Sequence, residues 1–215
     1  MITASTSGDA MNVHQSQFAE RRPEATRGAE GLDRHKFTVD DCFRMVETGI
    51  LSHDYRFELI DGELVPMSPK GVPHERTKSE LTVHWAKRLP DTAKMVTATT
   101  LKLDAHGFRE PDFYFWPMRV DIADKTPADA LLIVEIASSS LNYDLGRKAR
   151  TYEAQSVQEY WVIDAPAARI AVMRLREDGT YGDPVWYERD ETVTPVAIPE
   201  LAVCLSDLGL KPEAE

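Results

Sequence analysis

The chain of 215 residues is 42% hydrophobic and 28% charged, with a formal net charge of -11; it has room for one domain with a sizeable core and not for two large ones. An acidic surface of this kind disfavours nonspecific attraction to nucleic acid. The longest apolar run, in Ala130 to Ala137, falls far short of the roughly 20 residues that span a bilayer.

Residues 1 to about 35 are polar and carry too few large apolar side chains to bury a face, so a disordered or loosely attached arm is expected there. It has neither a basic leader nor an apolar h-region, which predicts a cytoplasmic protein without membrane association. A single domain is expected over residues 36–210. Its first element is a short amphipathic helix: Thr38 can cap it with Asp41 three residues on, Val39, Cys42, Phe43 and Val46 fall at helical spacing, and Gly49 can end it. Cys42 and Cys204 lie among apolar neighbours with no metal-ligand spacing and read as reduced, buried thiols.

"YRFELIDGELVPMS" follows, two short runs around Asp61-Gly62, the dipeptide suited to a type I′ turn, and reads as a β-hairpin with Glu58 in its first arm. "VPHERTKSELTVHWAKRL" opens with Pro73 and spaces Leu81, Trp85 and Leu89 by four, predicting a helix with its basic residues largely outward. Around it Lys70, Arg76, Lys78, Lys87, Arg88, Lys94 and Lys102 outnumber Glu75, Glu80 and Asp91, so a modest basic face is compatible with the acidic whole. The β-branched "KMVTATTLKLD" predicts a strand. After the "AHG" turn comes a second, "PDFYFW", with Pro111 at its first position or on an edge.

"ALLIVEIA" is apolar on both faces, as in a central strand of a covered sheet. "SSS" at 138 to 140 reads as a helix-entry loop with Asn142 as cap. "NYDLGRKARTYEAQSV" reads as a helix with Leu145, Ala149 and Tyr152 along one face, and "EYWVIDA" as the returning strand of a crossover. "RIAVMRLR", "DPVWYER" and "ETVTPVAIP" are short strands extending or flanking the sheet.

Glu58, Asp112 and Glu135 stand where strands should carry them. Strands joined by a turn or one crossover are usually neighbours, so the start of "PDFYFW" and the middle of "LLIVEIA" can meet. Two carboxylates about 5 Å apart repel by roughly 3 kcal/mol at an effective dielectric near 20. Oxygen ligands so crowded suit Mg²⁺ or Mn²⁺, which can activate water and stabilise charge on a phosphoryl oxygen, the requirements of phosphodiester hydrolysis. Lys148 is the leading nearby cation, sharing a helix stripe with Asp144 and Tyr152 at i−4 and i+4. His74 and Tyr152 are further candidates for a phosphate or substrate contact. Each has a plain structural reading beside it: a turn position for Asp112, a solvated hairpin position for Glu58, a buried ion pair for Glu135, an i, i+4 surface pair for Lys148 with Asp144, and a surface histidine for His74.

The ordered set "YRFELIDGELVPMSP", a histidine in the next helix, "EPDFYF", "LLIVEIASSS", "YDLGRKARTY" and "VQEYWVID" resembles the Uma2 family of restriction-endonuclease-like proteins, a branch of the PD-(D/E)XK nuclease superfamily, from about Phe37 to Leu210. The resemblance implies an α/β (α+β) restriction-endonuclease-like sandwich: a mixed central sheet flanked by helices, with additional C-terminal strands. It also implies a Mg²⁺-dependent DNA endonuclease using Glu58, Asp112 and Glu135, in a superfamily whose members often cut as homodimers. Where the superfamily pattern has lysine two positions after the second acid, this chain has Ala137, and the position matching this branch's helix-borne lysine is Lys148. Gln155 and Ser156 stand where the family commonly shows Ala-Gly. A catalytically inactive module of the same fold, and a phosphodiesterase acting on RNA or a small nucleotide, remain open readings of the same residues.

Overall fold

Thr38 begins the first long element as its chemistry requires. Its hydroxyl accepts from the Asp41 backbone N–H at 3.1 Å while the Asp41 carboxylate takes the Thr38 backbone N–H at 2.9 Å. This reciprocal capping box opens helix α1, Val39–Glu47. The computed structural model describes residues 25–27 and 31–213. Most of the expected N-terminal arm therefore lies outside the described residues; its described part includes two short paired strands, β1 (Ala25–Arg27) and β2 (Asp33–His35).

Strands β3 (Phe57–Ile60) and β4 (Glu63–Pro66) form the expected hairpin. Asp61 and Gly62 both take positive φ, 52° and 83°, as a type I′ turn demands. A Cβ at Gly62 would also lie 2.7 Å from that of Lys36, so only glycine fits. Helix α2, Val72–Ala86, is followed by β5 (Ala93–Val96), β6 (Leu101–Asp104), β7 (Gly107–Arg109) and β8 (Phe113–Pro117). The β-branched run expected as one strand is thus two, broken where Ala98 turns left-handed at φ 49°. Its halves join different sheets: β5 pairs with β8, β6 with β7.

After β9 (Leu132–Ala137) the chain makes α3 (Leu141–Tyr143), one π-helical turn at Asp144–Lys148, and α4 (Ala149–Ala154). It then returns through β10 (Glu159–Asp164), which runs parallel to β9. This is the predicted crossover. The helix starts one residue before the expected cap: Ser140 holds the N-cap position and Asn142 lies inside the helix. Strands β11 (Arg169–Arg174) and β12 (Val185–Tyr187) extend the sheet, and β13 (Thr192–Val193) pairs separately with β14 (Val203–Cys204).

The large sheet has the order β12-β11-β10-β9-β8-β5, mixed because only β9 and β10 are parallel; the small one, β4-β3-β7-β6, is antiparallel throughout. Strand alternation divides the core. Phe113, Phe115, Val134 and Ile136 pack on the side of α2 with Trp85, whose ring meets both phenylalanines edge-on at 4.8 and 5.3 Å. Tyr114, Trp116, Ile133 and Ala137 pack on the opposite side with Tyr152 and Tyr160. Helix α1 covers the small sheet through Val39 and Cys42 on Phe57, Leu59 and Phe108. Both thiols are buried as expected, and burial pushes Cys42 up to about 11. No helix among the described residues is long and apolar enough to cross a membrane.

Candidate active site

Glu135 sits in the middle of β9, only 3% exposed. It shares a strand face with Ile133 and Ala137, so its side chain turns toward the crossover helix. Tyr152, fully buried, donates its hydroxyl to Glu135 Oε1 at 3.0 Å. Lys148 Nζ lies 3.1 Å from the same oxygen, 3.4 Å from Asp144 Oδ1 and 3.5 Å from Glu58 Oε1. Removal from water lifts the Glu135 carboxyl to about 8; the Lys148 charge opposes the rise, and Asp144, Asp112 and Glu58 reinforce it. Burial alone would depress the Lys148 ammonium, but Glu135, Glu58 and Asp144 outweigh it and hold the group above the ordinary lysine range.

The π-helical turn arranges this contact. The N–H of Ala149 reaches back to the carbonyl of Asp144, widening the turn so that Asp144 and Lys148 both face inward, 2% and 8% exposed. Ser140 donates to Asp144 Oδ2 at 2.5 Å, fixing the start of the stripe. The pair expected at worst on the surface is therefore buried.

Asp112 stands one residue before β8. Phe113 pairs with Val134 across the antiparallel ladder, and continuing that register by one step brings Asp112 alongside Glu135. Asp112 Oδ2 accepts from the Ile136 backbone N–H at 3.0 Å and from His74 Nε2 at 2.9 Å. Its Oδ1 accepts from Lys70 at 2.5 Å and Lys78 at 3.1 Å. Burial on its own would raise this carboxyl, but the His74 hydrogen bond and the Lys70 charge prevail and hold it well below the usual carboxylate range. His74 is thus no surface histidine: it is 5% exposed and belongs to the acid's surroundings.

Glu58 arrives from the other sheet. In β3 its neighbours Phe57 and Leu59 pack under α1, so the carboxylate takes the opposite face and is 4% exposed, contrary to a solvated hairpin position. It accepts weakly from the Glu110 N–H at 3.4 Å and the Tyr143 hydroxyl at 3.5 Å. Arg109, itself buried, donates to the Leu59 and Phe108 carbonyls at 2.6 and 3.0 Å. Its Nε has no hydrogen-bond partner among the described residues and points a positive charge at Glu58 from 3.9 Å.

Glu58, His74, Asp112, Glu135 and Lys148 all line one cleft of about 470 Å³, together with Lys70, Tyr143 and Asp144. Tyr152 does not line it and braces Glu135 from behind. Among the described residues no three His, Cys, Asp or Glu side chains stand together as a ready cage for a metal ion. The donor chemistry nevertheless fits Mg²⁺, which is held by one or two carboxylates and keeps waters or phosphate oxygens as its remaining ligands; Asp112 and Glu135 can supply such a pair. The sequence reading missed Lys70, Lys78 and Arg109. Lys78 follows His74 by four residues and so shares its helix face, a usable signal; Lys70, in the loop before α2, gave none. Of the other expected basic residues, Lys94 donates to the Val120 carbonyl, and Lys102, well exposed, lies 4.0 Å from Asp40.

A sequence model of the Uma2 family, described as "Putative restriction endonuclease", matches residues 40–207. Among solved structures, a crystal structure of a "putative nuclease belonging to DUF820" from Anabaena variabilis ATCC 29413 superposes with a TM-score of 0.61 at 16% identity, over 80% of this chain and 97% of that one. That likeness shows a shared fold. The type IIG restriction endonuclease BpuSI matches 50% of this chain and 12% of its own, with 16% identity and a TM-score of 0.35. No match was found among curated proteins.

Proposed function

The chain belongs to the Uma2 family, and on that premise we propose that it is a Mg²⁺- or Mn²⁺-dependent endonuclease that hydrolyses phosphodiester bonds in DNA. Asp112 and Glu135 would hold the ion, with Glu58 nearby. The ion would supply an activated water and offset charge on the phosphoryl oxygens. Lys148, kept protonated by its three carboxylate neighbours, is no proton acceptor; its part is to orient the attacking water and stabilise the negative transition state. His74 fixes the Asp112 carboxylate and Tyr152 that of Glu135.

The observation that carries the reading is the meeting of Glu58, Asp112, Glu135 and Lys148 in one cleft from both sheets and the crossover helix. Buried like charges from distant parts of a chain are gathered only where a counter-charge offsets their repulsion. The test is cleavage of supercoiled plasmid with Mg²⁺ or Mn²⁺, beside Asp112→Ala and Glu135→Ala, with labelled RNA run in parallel. Nicking by the wild type alone supports the proposal; wild type and both variants behaving alike removes it; cleavage of RNA alone moves the substrate.

A second reading, a non-catalytic interaction module, draws on the cations already paired with every acid of the constellation. Calorimetric binding of Mn²⁺ that disappears in Asp112→Ala contradicts it.

A further inference from the structure

Asp112 carries four donors on its two oxygens, and a carboxylate has about four lone-pair positions to offer. An ion binding to it must displace something. The donors differ in how readily they leave. On Oδ2 are the Ile136 backbone N–H, fixed by β9, and His74, a ring that is itself buried. On Oδ1 are two lysine ammoniums on flexible four-carbon stems, with side chains 17% and 16% exposed, one from the loop before α2 and one from its second turn. Oδ1 is therefore the exchangeable oxygen.

Two ammoniums sharing one oxygen are also close to each other, and among the described residues the Asp112 carboxylate between them is the anion paired with both. When a divalent cation takes Oδ1, the charge at Asp112 is conserved, two single charges replaced by one double charge, while both lysines lose their counter-ion at once. They then need an anion within reach of the same cleft. A phosphodiester strand is the anion that the proposed reaction brings, and lysines bind phosphate as mobile point charges.

We infer that Lys70 and Lys78 are the substrate-phosphate contacts of this site, held on Asp112 as place-holders for the divalent ion and handed to the nucleic-acid backbone when that ion binds. This rests on the metal-dependent reading above and goes beyond it, because it assigns the strand-binding residues and couples ion entry to substrate affinity. A purely structural brace would behave differently: losing it would loosen Asp112 and weaken ion binding.

The test uses the full chain as wild type, Lys70→Ala, Lys78→Ala, the double alanine variant, the double arginine variant and Asp112→Asn. Mn²⁺ affinity is measured by calorimetry, and binding of a short labelled duplex by anisotropy in Ca²⁺ across a salt series. The double alanine variant is expected to bind Mn²⁺ roughly five- to tenfold more tightly, the scale of one screened charge contact at about 4 Å. Its log–log salt slope for DNA should become shallower by about 2, one unit per lost phosphate contact. The single variants should fall between, and the double arginine variant should retain the DNA slope. Tighter ion binding with weaker DNA binding is the signature required. Mn²⁺ binding that is lost in Asp112→Asn but equal or weaker in the double alanine variant, or an unchanged DNA slope, overturns this inference and leaves the metal-dependent reading standing. Wild type that binds no Mn²⁺ sinks both.

Discussion

Lys148 Nζ stands 3.1 Å from Glu135 Oε1, joining the crossover helix to the central strand beneath it at the point where both are buried. The same ammonium serves Glu58 and Asp144. Lys148→Met should therefore cost about 3–5 kcal/mol in urea unfolding at pH 8.5 without metal, where Glu135 is ionised, because it takes from Glu135 and Asp144 the ammonium they share. Adding Glu135→Gln should recover part of that loss. If the single and double variants lose stability additively, the pair is not coupled as the geometry requires.

Glu135 also sets a pH dependence. Its carboxyl is held at about 8 against an ordinary 4.5. Between those values the unfolded chain has released a proton that the native state retains, so stability falls as pH rises from about 4.5 to about 8 and levels off beyond. Glu135→Gln removes this slope. Denaturation in chelator at pH 5 and pH 8.5 should show the variant gaining on wild type at the higher pH, by a few kcal/mol at most, since Lys148 loses a partner.

Ser156 takes φ 60°, a left-handed position that costs a non-glycine residue roughly 1–2 kcal/mol. Ser156→Gly should raise stability by about 0.5–1 kcal/mol with cleavage unchanged, the glycine's added freedom in the unfolded chain absorbing part of the gain. Thermal melts beside the plasmid assay check both halves.

Thr38→Ala removes the hydroxyl of the α1 capping box and should cost about 1 kcal/mol, again without touching cleavage. The Thr38 hydroxyl and backbone N–H hold the Asp41 carboxyl below its ordinary value, so the cap's contribution is present above about pH 4 and fades as pH falls through the lowered value. A wild-type advantage over Thr38→Ala that shows no decline anywhere on the acid side of pH 4 contradicts this account.

Much of the fold was legible because it rests on short-range chemistry. Thr38 with Asp41, Asp61-Gly62, and the apolar run around Glu135 each name their own local structure. The crossover followed from chain order, and the three acids with Lys148 could be grouped before any distance was known. What stayed hidden depended on the third dimension. Ala98 gave no sign that the run through it splits between sheets, since any residue can be forced left-handed by the packing on either side. Lys70 and Lys78 read as part of a solvated basic face, because nothing in their spacing says that an acid from a strand more than thirty residues later will capture them. His74 read as exposed for the same reason.

The two sheets contribute unequally to the constellation. Asp112 and Glu135 are tied together by the backbone ladder between β8 and β9, whereas Glu58 depends on how the smaller sheet seats against the larger one. The site is consequently divisible: substitutions under α1 that shift the hairpin should withdraw Glu58 from Lys148 in graded steps while leaving the other two acids in register. Variants there would produce a family of weakened sites, each with its ion-holding pair intact, and not a single on–off loss.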